Sequence, residues 1–192
     1  MKRNLGIAVL YTVVTTILLG IIYPLLVTGL AQILFPKQAN GSLIVQNGKL
    51  VGSHLIGQAF TAPGYFWSRP SAAGAAGYDP TSSAGSNLGP TNKVLIDRVD
   101  ASVQRLQATN PGTPLPVDLV TASGSGLDPN ISPAAAAFQI PRVAKERAMT
   151  EEALRGLVIK HTEGRQFGFF GEPRVNVLDL NLDLDETHPL QK

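Results

Sequence analysis

Ser125 lies in the run Ser123-Gly124-Ser125-Gly126, whose residue types suggest either a nucleophile or an anion cradle. A serine nucleophile needs a base, a group that orients the base, and a turn that lifts the hydroxyl clear of the backbone. The GxSxG elbow is missing, because Ser123 stands two residues before Ser125 and Leu127 two after. An anion cradle needs successive backbone N–H groups in a glycine-rich turn. The GxxxxGK[ST] pattern of a phosphate loop is also missing, so the run reads first as a plain turn and second as an anion site.

Metal chemistry has less to build on. His54, His161 and His188 stand far apart, with no HExxH pair, and read as surface or capping histidines. Asp179, Asp183 and Asp185 alternate with leucines, without the glycine-turned loop of a calcium site, and read as a solvated strand face. The chain has no cysteine, which excludes disulfides, thiolate metal sites and thiol redox pairs. The fold must rest on its own core.

The elements that carry these residues begin with an apolar run. Leu5 to Phe35 is 31 residues without Asp, Glu, Lys, Arg or His. At ~1.5 Å per residue such a helix is roughly 46 Å long, more than the ~30 Å hydrocarbon core of a bilayer, so it spans with tilt or with an end emerging. Lys2 and Arg3 precede it and Lys37 follows. The basic tail, residues 1–4, is therefore expected in the cytoplasm, and a domain of residues 36–192 on the other side. A signal peptide cleaved after Gly29-Leu30-Ala31 is the rival, but the run far exceeds the ~7–15 apolar residues such a peptide carries.

Lys2 and Arg3 also account for the net charge of +2, leaving 14 basic and 14 acidic residues elsewhere. That balance carries no nucleic-acid footprint. Within the span, Thr12, Thr16, Gly20, Pro24 and Thr28 recur every fourth residue and form a stripe against which another helix can pack closely. The alternative is that the threonines bond back to their own helix and Pro24 only kinks it.

After the span, Ser42–Gln46 and Lys49–Val51 flank Asn47-Gly48, a two-residue hairpin turn. Residues 72–90, rich in Ala, Gly, Ser and Asn, cannot build a core and read as a contact loop. Leu95, Ile96, Val99, Val103 and Leu106 follow helical spacing between Thr91 and Thr109. Val117–Thr121 reads as a strand leading into the Ser-Gly run. Ser132 and Pro133 open a helix over residues 134–139, Pro141 opens another, and Thr150 caps a third that ends near His161. Val175 to Asp185 alternates apolar and polar residues and predicts a final strand, bulged at Val177-Leu178. The sum is a small α+β domain.

Seven segments in order resemble one family, the C subunit of the Kdp-type potassium-transporting ATPase. They are Gln38–Ser42, Leu55–Gln58, Tyr65-Phe-Trp-Ser-Arg-Pro-Ser71, Gly85–Gly89, Leu119–Asp128, Gln139-Ile-Pro-Arg-Val-Ala-Lys145 and Pro173–Leu178. The resemblance implies a subunit without catalysis of its own, anchored once in the bacterial inner membrane, with a periplasmic domain. Its implied partners are a channel-like potassium-binding subunit, a P-type ATPase subunit, a small single-span subunit and membrane lipid. The family is described as a catalytic chaperone that raises the ATPase subunit's affinity for ATP. That description implies nucleotide contact at Ser123, Gly124, Ser125 and Gly126 and at Gln139, with no tightly bound cofactor and ATP held only in a ternary complex.

A domain outside the cytoplasm meets essentially no ATP. The reading that reconciles the two is a span that holds the assembly together and an exported domain that caps the potassium entrance, with any effect on ATP affinity indirect and reciprocal. The enzymatic alternative is a membrane-anchored extracytoplasmic serine hydrolase built on Ser125.

Overall fold

The computed structural model describes residues 1–190 and divides into two compact units, Met1–Val51 and Gly52–Lys192. In the first, one continuous helical stretch runs from Lys2 to Leu34 and is long and apolar enough to cross a membrane. Helix α1, Lys2–Thr15, passes into a π-helical segment, Thr16–Ile22, and then into α2, Tyr23–Leu34. Pro24 explains the widened turn. It has no N–H for the carbonyl of Gly20, and a π segment next to a proline absorbs the missing bond.

Within this stretch Thr12 donates its hydroxyl to the Ala8 carbonyl at 2.9 Å. A side chain on Gly20 would meet the Thr16 methyl at 3.8 Å, so these two positions share a face. The helix breaks at Phe35, and a short helix α3, Pro36–Ala39, ends in a turn in which Ser42 N–H bonds the Lys37 carbonyl. Strands β1, Leu43–Gln46, and β2, Lys49–Ser53, form the expected hairpin. Its turn residues Asn47 and Gly48 take φ of 52° and 75°, the left-handed pair that such a turn requires.

The second unit is an α+β domain. Asn92 caps helix α4, Lys93–Gln107, by accepting the Val94 N–H. Strand β3 is Asn130–Ile131, followed by α5, Pro133–Glu146, α6, Glu151–Lys160, β4, Thr162–Glu163, β5, Arg174–Asn176, and α7, Val177–Thr187. The strands form an antiparallel sheet in the order β3-β5-β4, with Val175 opposite both Ile131 and Thr162. Phe66, Ile140, Leu154, Val175, Leu180 and Leu184 are fully buried in the core.

Four expectations are corrected. Val177–Leu184 is a helix, not a strand. Asn176 decides this by accepting the N–H groups of both Leu178 and Asp179, which caps a helix. The buried positions Val177, Leu180, Asn181 and Leu184 then fall on one helical face, a pattern the leucine alternation conceals. The aspartates consequently do not line a solvated strand face. Asp179 meets His54 at 2.8 Å, Asp183 meets His161 at 2.6 Å and Lys160 at 2.9 Å, and Asp185 meets Arg147 at 2.8 Å.

Helix α5 runs straight through Pro141 instead of restarting there. Ile140, Val143 and Ala144 are buried around that proline, so packing outweighs one lost hydrogen bond. Val117–Leu119 is a 3₁₀ turn and not a strand, with Val120 N–H and Thr121 N–H returning to the Val117 carbonyl. Residues 72–90 are irregular as expected, yet Ala73 is fully buried and belongs to the core.

Candidate functional site

The densest polar chemistry surrounds Tyr65-Phe66-Trp67, a segment without regular structure whose backbone groups must find partners elsewhere. Two buried carboxamides supply them. Asn181 of α7 accepts the Phe66 N–H at 2.9 Å and donates to the Phe66 carbonyl at 3.0 Å. Gln139 of α5 accepts the Trp67 N–H at 2.8 Å and donates to the Trp67 carbonyl at 3.1 Å and the Ala135 carbonyl at 3.3 Å. Each amide thus behaves as one rung of a β-ladder, joining a helix to an extended strand-like segment.

Two arginines complete the clamp. Arg142 stacks 3.7 Å from the centre of the Trp67 ring and donates to the Pro63 carbonyl, to the Tyr65 carbonyl at 3.0 Å and to Gln139 Oε1 at 2.7 Å. Burial pushes its pKa down to about 10. Arg147, whose side chain is fully buried, donates to the carbonyls of Gly64, Leu184 and His188 and to Asp185 at 2.8 Å. Tyr65 donates its hydroxyl to the other oxygen of Asp185 at 3.0 Å. Burial, and then the hydrogen bond and charge of Asp185, raise the Tyr65 phenol above its usual range.

The Ser-Gly run is held from the other end of the same segment. Ser71 donates to the Gly126 carbonyl at 2.6 Å and accepts from Ala73 and Tyr78 N–H. Ser83 donates to the Ser125 carbonyl at 3.0 Å. Gly126 has φ 68°, and a Cβ there would lie 2.7 Å from Ala73 N and 2.5 Å from the Ala84 carbonyl, so no larger residue fits without displacing backbone. The run is a turn: Gly126 N–H bonds the Ser123 carbonyl, and Leu127 N–H bonds Ser125 Oγ at 3.1 Å. Ser123 is buried, whereas Gly124 and Ser125 are exposed.

Among the residues expected to act together, Ser123 to Gly126 bond with one another and with Ser71, Ser83 and Leu127, whereas Gln139 bonds with Trp67, Ala135 and Arg142. Gln139 is 1 % exposed. None of the hydrogen bonds among the described residues joins Ser125 to a histidine; His54 and His161 are paired with aspartates and His188 bonds Thr187. No three His, Asp or Glu side chains converge as a metal site among the described residues. A cavity of about 510 Å³ lies beside β3 and the start of α5, where Arg69 meets Asp128 at 3.1 Å and Asp118 accepts from Ser132. Its charges are mixed: Arg69 pairs with Asp128 inside the cavity, whereas Glu172 and Arg174 pair with Arg165 and Glu163 outside its lining.

Sequence reasoning missed Asn181, Arg142 and Arg147. The signal was present for Asn181, an uncharged amide placed among leucines, but it needs the helical phase of α7 to be read as inward-facing.

Fold and site together define a class: a single apolar helix followed by a small α+β domain in which the buried side chains of Gln139, Asn181 and Arg147 are committed to its own architecture. The family model described as KdpC, K+-transporting ATPase, c chain, matches residues 5–186, and the chain belongs to that family. It is 62% identical over 190 residues to the potassium-transporting ATPase KdpC subunit of Koribacter versatilis, covering 99% of this chain and 98% of that one. It is 59% identical to the subunit of the same name from Acidobacterium capsulatum, over 97% of this chain and all of that one. With that of Methylococcus capsulatus it shares 58%, over 93% and 95% of the two chains.

Proposed function

We propose that this chain is the single-span subunit that assembles a potassium-transporting ATPase in the bacterial inner membrane, with residues 1–4 cytoplasmic and the α+β domain extracytoplasmic. The span docks through Thr16 and Gly20, which share a face, and binds the channel-like and P-type ATPase subunits beside the small single-span one. The domain caps the potassium entrance. ATP affinity of the ATPase subunit responds to this chain only through coupling between distant sites, reciprocal by linkage.

The observation that carries this reading is the state of Gln139. Its amide is buried and bonded to both backbone groups of Trp67 and to Arg142, which favours a structural task over contact with a nucleotide. Gly124 and Ser125 are exposed, but the Ser125 carbonyl accepts from Ser83 and the N–H groups of Gly126 and Leu127 are already bonded within the turn.

Removing everything after Pro36 tests the proposal in the whole complex. The expected result is weakened potassium affinity or loss of assembly, and a truncated complex with normal transport and normal ATP dependence would overturn it. Replacing Thr16 and Gly20 by leucine in the full chain is expected to reduce co-purification of the partner subunits.

A further inference from the structure

The hairpin that joins β4 to β5 ends in an aromatic tip that the clamp does not use. Glu163 stands opposite Arg174 in the stem. Beyond them Gln166 and Phe170 exchange two backbone hydrogen bonds of 2.9 Å around the loop Phe167-Gly168-Phe169. Phe167, Phe169 and Phe170 are 89%, 64% and 56% exposed. Phe167 and Gly168 take φ of 53° and 82°, and a bulky residue seldom adopts the left-handed region.

This tip has a defined shape and stands clear of the domain. A Cβ built on Gly164, Gly168 or Gly171 meets no atom within 4 Å, so space is open along the whole loop. The Phe169 and Phe170 rings lie 4.1 Å apart, centre to centre. Three adjoining exposed phenylalanines form the kind of apolar patch that marks an interaction site.

The charges choose the partner. Arg165 bonds both carboxylate oxygens of Glu172, at 2.8 and 2.7 Å, and Arg174 meets Glu163 at 2.6 Å, so each arginine of the hairpin is answered by a glutamate. Residues 161–174 contain no Lys, Trp or Tyr. A loop that binds bilayer lipid offers unpaired basic groups to anionic headgroups and places Trp or Tyr at their level. A neutral stem with bare phenylalanine rings fits an apolar protein pocket, where aromatic anchors dominate binding and a preformed loop loses little freedom on docking.

We propose that Phe167-Gly168-Phe169-Phe170 is a plug that docks into an apolar pocket on another subunit of the same transport complex. Membership of the KdpC family supplies the partner. The plug does not depend on the potassium-entrance reading, because a cross-link from the loop reports its contact whatever happens to potassium affinity.

Benzoylphenylalanine placed at Phe167 of the full chain, in complex purified from membranes and irradiated, reads the contact directly. Val117, 70% exposed, takes the same probe as a control. Adducts from position 167 are expected on peptides of a different subunit, at least tenfold above those from position 117 on the same peptides. Adducts with lipid alone, with a second copy of this chain, or with nothing would overturn the proposal. The triple variant Phe167→Ser, Phe169→Ser, Phe170→Ser is expected to leave the chain's own melting midpoint unchanged and to lower its retention in detergent-washed complex at least tenfold. Retention at the unsubstituted level would overturn it as well, and the cross-link decides if the variant fails to fold.

Discussion

Asn181 and Phe66 bond to each other twice, across 115 residues of sequence: the asparagine Nδ2 donates to the Phe66 carbonyl at 3.0 Å and its Oδ1 accepts the Phe66 N–H at 2.9 Å. Phe66 is fully buried and Asn181 1 % exposed, so no water replaces either bond. Asn181→Leu keeps the number and branching of the side-chain heavy atoms and removes both partners. Each orphaned buried group costs about 1–3 kcal/mol, so the variant should lose roughly 2–6 kcal/mol, measured by denaturant unfolding of the full chain in detergent.

Gln139 makes the same two bonds to Trp67, one residue further along. Gln139→Met should therefore lower the stability of the chain by a comparable amount. In complexes that retain the variant, the KM for ATP should stay within about twofold of the parent, because the residue acts on architecture. A rise in KM of tenfold or more, with the chain's stability intact, would show that Gln139 touches the nucleotide.

Asp183 is held below its ordinary carboxylate range, first by the hydrogen bond from His161 and then by that from Lys160. The unfolded chain therefore binds its proton more readily than the folded one. The stabilisation is present above the unfolded pKa of about 3.9 and disappears as pH falls through the lower folded value. Melting temperatures recorded from pH 6 to pH 2.5 should fall less steeply for Asp183→Asn than for the unsubstituted chain, with the two curves converging at the acid end.

Much of the architecture was legible in the chain itself because it rests on local signals. The uncharged run to Phe35, the Asn47-Gly48 turn and the caps Ser132 and Thr150 each act through neighbours a few residues away, and each appears where expected. The last element was misread because strict alternation of leucine and aspartate fits two periods at once. The tie is broken by the Asn176 cap and by long-range burial of Asn181, neither of which alternation reveals. Likewise, Gln139 and Tyr65-Phe66-Trp67 stand out as separate motifs in sequence, and only the fold joins them as the two halves of one clamp.

The side of the membrane that the α+β domain occupies decides whether it can meet cytoplasmic ATP, and the absence of cysteine makes that side measurable with single labels. Val117→Cys and Lys2→Cys place one thiol each in the exposed domain surface and in the tail. In spheroplasts, a membrane-impermeant maleimide should label position 117 at once and position 2 only after the membrane is opened. Labelling of position 2 but not of position 117 before permeabilisation would place the domain beside cytoplasmic ATP and contradict the account.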